Sequence, residues 1–188
     1  FRSLCNRFFP GRELHYEVYN GKDNLKAALE AQAVAGSQVV VATRDLDDTT
    51  PEKVSNTISG YLAEIAVRRN ITEEERAHFV LVPLPVGLPQ DHDLAALGVS
   101  RHCMDDFLLK LALLHEPRLK DALAQLLGHA REKGYSFSSS KELFQLAKPL
   151  AHLPANYNGS IERLFGRSDA ASLMGICGSL ISSLEMKV

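Results

Sequence analysis

The stretch VVVATRDLDDTTPEKV, Val39 to Val54, decides how the chain is read. Its first half is apolar and β-branched, the composition of a strand covered on both faces in a parallel sheet. Three acids, Asp45, Asp47 and Asp48, then fall within four positions. Thr50 before Pro51 is the cap and first position of a helix whose apolar stripe is Val54, Ile58, Leu62 and Ile65. Crowded negative charge at a strand end is unfavourable unless something positive neutralises it. In open α/β sheets, ligands bind beyond the carboxyl ends of the strands. Asp45 and Asp47, two apart, are expected to point to one side there, and a convergent carboxylate pair suits a hard cation such as Mg²⁺ or Mn²⁺. The competing reading makes these acids caps for the next helix, with Asp48 or Thr49 leading into it.

Working outward, LHYEVYN, Leu14 to Asn20, reads as a short strand, and NGKDN as a turn that caps a helix LKAALEAQAV through Asp23 or Asn24 and ends at Gly36. HFVLVPL is a further buried strand. PVGLPQDHDLAALGVSRH is a connection long enough to carry function. From Met104 onward the pattern is helical: MDDFLLKLALLH, LKDALAQLLGHAREKG, KELFQLAKPLAHL and a last helix from Ser168 to Met186. FRSLCNRFF at the start has helical spacing of Phe1, Leu4, Cys5 and Phe8, and the chain reads as beginning part-way into a longer one. Alternating strands and helices predict an α/β fold with a parallel sheet flanked by helices and a helical C-terminal extension.

Of the 188 residues, 45% are apolar and 23% charged, the balance of one globular unit with a real core. The net charge of −2 excludes a strongly basic coat for duplex DNA while leaving room for a local basic patch. Cys5, Cys103 and Cys177 are odd in number and far apart, which speaks against a disulfide framework and for a reducing, cytoplasmic setting. No apolar run approaches the ~20 residues that span a bilayer. His92, Asp93, His102 and Cys103 have no zinc-ligand spacing, and no nucleotide-binding glycine motif or nucleophile elbow is present.

The hydrophobic strand ending in DLDD resembles the DxD motif of the Toprim (topoisomerase–primase) fold. The upstream GKDNLKAALEA and the later SRHCMDDFLLKLAL are similar to segments of small prokaryotic Toprim-like proteins. The resemblance covers roughly Arg2 to Leu114, so residues 1–114 are expected to be a Toprim-like core and 115–188 a helical extension packed on it. It implies that the family's first-strand Glu precedes Phe1, with Glu17 as a minor substitute. By likeness to overcoming-lysogenization-defect nucleases, Asp105 and Asp106 would form a second acidic cluster. The metal set is then Asp45, Asp47, Asp48, Asp105 and Asp106. Asp45, Asp47 and Lys141 would be catalytic, and Arg44 and Lys22 would contact phosphate. The activity implied is Mg²⁺-dependent hydrolysis of a phosphodiester in nucleic acid. The alternative is an inactive Toprim-fold module that binds nucleic acid or protein. A second copy of the chain or another protein is a further candidate partner.

Overall fold

The structure, a computed structural model, describes residues 2–9, 22–34 and 39–185. The expected strand at Leu14 to Asn20, with Glu17, lies outside the described residues, as do the side chain of Lys22 and the helix end at Gly36. Within them the protein is mixed α/β and mostly helical, with ten helices and one two-stranded parallel sheet.

Strand β1 (Val39–Asp45) pairs in parallel with β2 (Val80–Val86), from Val39 opposite Val80 to Asp45 opposite Val86. Helix α1 (Arg2–Phe8) and α2 (Lys22–Val34) precede them. The crossover is α3 (Pro51–Arg69) and the short α4 (Glu73–Ala77). The Thr50 side chain accepts the Lys53 N–H at 3.3 Å, as the sequence predicts, and Asn70 closes α3 in the left-handed conformation. Helix α2 begins at Lys22, so Asp23 and Asn24 fall within its first turn.

Val54, Ile58 and Ile65 of α3 pack with Leu29 of α2 and Ala42 of β1 on one face of the sheet. Leu84 and Val86 of β2 pack on the other face against Cys5, Phe107, Cys177, Leu180 and Ile181. Helices thus cover both faces. Yet β1 is not the fully buried strand its composition predicts, because only Ala42 is buried. Among the described residues β1 has β2 as its single neighbour, and a strand paired on one side stays partly wet.

Two prolines inside β2 are explained by the ladder. The Leu46 N–H donates to the Val86 carbonyl at 3.0 Å, so by alternation Val82, Leu84 and Val86 turn their backbone polar groups toward β1. Pro83 and Pro85 turn away from it and cost the ladder no bond. Their missing N–H groups blunt the outer edge of β2 against a further strand.

The rest is helical: α5 (His92–Ala96), α6 (Asp105–His115), α7 (Leu119–Glu132), α8 (Ser140–Leu150), α9 (Tyr157–Arg167) and α10 (Ala170–Glu185). Helix α6 is buried nearly all round. Phe107 meets the sheet, while Leu108, Leu109, Leu111 and Ala112 join Leu123, Phe144 and Leu164 in the largest core cluster. That cluster runs from Leu94 to Leu173, so the helical extension and the sheet-bearing part share one core across position 114. Arg7 ties α1 to the end of α9 through the carbonyls of Phe165 (2.7 Å) and Ser168 (2.9 Å). Among the described residues no helix is long and apolar enough to cross a membrane.

Candidate functional site

The site is built where β1 ends. Asp45 is its last residue, and strand alternation puts its side chain on the α6 face of the sheet and Arg44 on the α3 face. Arg44 therefore neither pairs with Asp45 nor lines its crevice; it is half-buried, and its Nε has no hydrogen-bond partner among the described residues. Past Leu46 the alternation breaks, because Asp47 is left-handed with φ 53°. Asp residues tolerate that conformation better than most. Thr49 closes the turn with its N–H (2.9 Å) and hydroxyl (2.8 Å) on the Leu46 carbonyl. The expectation that Asp45 and Asp47 point to one side, drawn from a period of two, thus does not apply at Asp47. Its carboxylate lies 3.8 Å from Arg101, and Asp48 is exposed in the turn.

A second segment is stapled to this turn. The Asp47 N–H donates to the His102 carbonyl at 2.7 Å, and the His102 N–H returns a bond to the Asp47 carbonyl at 2.6 Å. This bridge brings the start of α6 to the strand end, where the Met104 N–H donates to Asp45 Oδ1 at 3.1 Å. Asp105 follows at 7% exposure and Asp106 at 0%. Oδ2 of Asp106 accepts the Leu88 N–H at 2.6 Å and meets His102 Nδ1 at 2.8 Å. Asp106 thereby orients the imidazole through Nδ1. Gly87 permits the packing: its φ is +150°, and a Cβ there would stand 2.8 Å from the His102 Cβ. The ends of both strands and the head of α6 converge on this one ring.

Asp105, the first residue of α6, faces the heads of α8 and α9. Cys103 Sγ lies 3.6 Å from its Oδ2, and the Tyr157 phenol at the head of α9 is near enough to act on the carboxylate. Lys141, exposed in the first turn of α8, is close enough for its charge to act on Asp105. That turn is fixed by a capping box between Ser139 and Glu142. The buried Ser140 hydroxyl stands 3.2 Å from the Cys103 thiol.

Charge in the cluster is under-compensated. Asp45 is exposed at the strand end, yet the protein around it displaces part of its water and raises its carboxyl above the ordinary range; the Met104 amide opposes this, and Asp47, Asp105 and Asp106 add to it. Asp105 is also raised, first by burial and then by Asp106, against the pull of Tyr157, Cys103 and Lys141. Oδ1 of Asp105 and Oδ1 of Asp106 are buried without a hydrogen-bond partner among the described residues. Burial pushes the Cys103 thiol up to about 11, so it is protonated at neutral pH and a poor nucleophile. Burial and the Asp105 charge raise the Tyr157 phenol as well, which keeps it a donor.

Among the described residues no three His, Cys, Asp or Glu are grouped so as to hold a metal by themselves. Mg²⁺ does not require three, since it keeps most of its waters and takes one or two carboxylates plus a substrate phosphate. Asp45 and Asp105 fit that role: they are raised carboxyls that crowd one another, and one carries an orphaned oxygen. Asp106 is committed to His102 and Leu88 through Oδ2. Of the residues picked from the sequence, Asp45, Asp47, Asp105, Asp106 and Lys141 come together, Asp48 stays at the rim and Arg44 points elsewhere. Sequence reasoning missed the pairing of His102 with Asp106, visible as a four-residue spacing, and missed Tyr157, for which no sequence signal exists. Compared with family models, curated proteins and solved structures, the chain finds no match.

Proposed function

We propose that the crevice beyond β1 and β2 binds a divalent cation, Mg²⁺ or Mn²⁺, and hydrolyses a phosphodiester of nucleic acid, on a Toprim-like arrangement of the sheet. The observation that carries this is the meeting of Asp45 and Asp105, sixty positions apart, at the carboxyl end of the parallel strands with too little positive charge between them. Asp45 and Asp105 hold the cation. When bound, it supplies Lewis-acid stabilisation of the phosphate and an activated water. His102, aligned by Asp106, takes a proton at Nε2. Lys141 neutralises charge on the phosphate oxygens, and the Tyr157 hydroxyl donates into the same space. Asp47 fixes the loop that carries His102 and keeps Arg101 near the rim.

The test is cleavage of single- and double-stranded DNA and RNA with Mg²⁺ or Mn²⁺, with chelator as control. Asp45→Ala and Asp105→Ala should each lower the rate at least ~100-fold, the loss expected of a group acting on the transition state. Cleavage that survives both substitutions or the chelator overturns the reading. Retention of nucleic acid without cleavage by the native protein favours a binding module instead.

A further inference from the structure

Beside the acidic pair, α6, α9 and α10 leave a pocket of about 90 Å³, bordered by Met104, Phe107, Tyr157, Ile161, Phe165 and Cys177. Two of these residues also belong to the acidic site. The Met104 amide donates to Asp45, and the Tyr157 phenol lies near enough to act on Asp105. The Tyr157 ring is held from behind by Phe144, edge to face at 6.2 Å between centroids. The pocket is walled by three aromatic rings and by aliphatic or sulfur-bearing side chains, and shares Met104 and Tyr157 with the surroundings of the carboxylates.

We propose that this pocket receives the organic group esterified to the bound phosphate, and that the group it suits is one six-membered aromatic ring such as a pyrimidine base. The inference rests on the phosphodiester reading of the acidic pair. Size sets the first limit: an apolar void of about 150 Å³ takes up benzene whole, so 90 Å³ open on one side takes a single ring inserted by its edge and turns away a fused bicycle. Chemistry sets the second. Aromatic walls favour a π-face whatever its sequence identity, and the Tyr157 hydroxyl is the polar handle at the mouth. Charge sets the third. Asp45 and Asp105, neighbours of Met104 and Tyr157, repel a bare phosphate, so the anionic end enters with a cation while the ring lies against the apolar wall.

Two measurements test this on the full chain. Methyl NMR of Met104 and Ile161 is followed as phenol, a neutral ring needing no cation, is added; saturable shifts at both are expected, and their absence overturns the inference. In Mg²⁺, phenyl phosphate should bind at least tenfold tighter than methyl phosphate, and 1-naphthyl phosphate no tighter than methyl phosphate. Ile161→Phe, which fills the pocket, should bring the phenyl-to-methyl ratio close to one, with Cys177→Met as a second filling variant should the first fold poorly. Equal affinity of the native protein for the phenyl and methyl esters overturns the pocket assignment while leaving the metal site standing. Failure of the native protein to bind Mg²⁺ at all, with the phenol shifts present, overturns the phosphodiester reading instead.

Discussion

Replacing Asp106 with Ala removes an acid with 0% exposure whose Oδ2 accepts the Leu88 N–H at 2.6 Å and meets His102 Nδ1 at 2.8 Å. Each of those bonds involves a charged acceptor, and such bonds contribute about 1.5–3 kcal/mol each, so their loss is about 3–6 kcal/mol. Two effects reduce it. Oδ1 of Asp106 is already unpartnered, and removing the charge relieves Asp45 and Asp105, which Asp106 pushes upward. A net destabilisation of about 3 kcal/mol results, in line with breaking a buried pair. For a chain of this length that corresponds to a fall in Tm of about 6–12 °C. Asp106→Asn keeps the shape and one acceptor and should lose about half as much. Calorimetric or urea unfolding reads both. An Ala variant within about 1 kcal/mol of the native protein would refute the claim that this acid anchors the strand-end loop and the imidazole.

Two further outcomes follow from the same geometry. Because the carboxyls of Asp45 and Asp105 are raised in the folded state, that state holds their protons more tightly than the unfolded chain does, so their contribution to stability falls as pH rises through the folded values and recovers as pH drops toward the ordinary carboxylate range. Without metal, Asp105→Asn should therefore melt above the native protein near neutral pH, with the advantage fading toward about pH 4; an advantage independent of pH would contradict the crowding. Gly87→Ala forces a Cβ to 2.8 Å from the His102 Cβ at φ +150° and should destabilise by about 2 kcal/mol, whereas Gly128→Ala on α7, with nothing near its added Cβ, should stabilise slightly.

What the sequence disclosed depended on how local each signal was. The cap at Thr50, the proline after it and the stripe Val54, Ile58, Leu62 and Ile65 are determined within a few residues, and α3 appears as they dictate, with Leu62 half-buried and the other three buried. The two strands and their parallel pairing were legible from composition and from the helical segment between them. The extent of burial was not: apolarity cannot report how many neighbours a strand has, and β1 has one among the described residues. Helix α9 escaped because Asn158 and Gly159 dilute its pattern, although Asn156 caps it through the Gly159 N–H at 2.6 Å. At the site, Asp45 was legible because it ends an apolar run. Asp47 comes near Asp45, but through a left-handed turn rather than through the strand alternation that predicted it. Arg44 beside Asp45 looked like a neighbour in sequence, yet adjacent strand residues face opposite ways. The contacts of Asp105 with Tyr157 and Lys141 join helices far apart in the chain, and no local pattern encodes them.

The central claim is that Asp45 and Asp105 together hold one divalent cation. Isothermal titration of the native protein with Mg²⁺ and Mn²⁺, beside Asp45→Asn and Asp105→Asn, tests it most directly. A single site is expected in the native protein and none in either variant. At a hundredfold excess over Kd the ion should stabilise only the native protein, by about 2.7 kcal/mol. No heat of binding and no change in native Tm would contradict the account, as would equal binding by all three proteins.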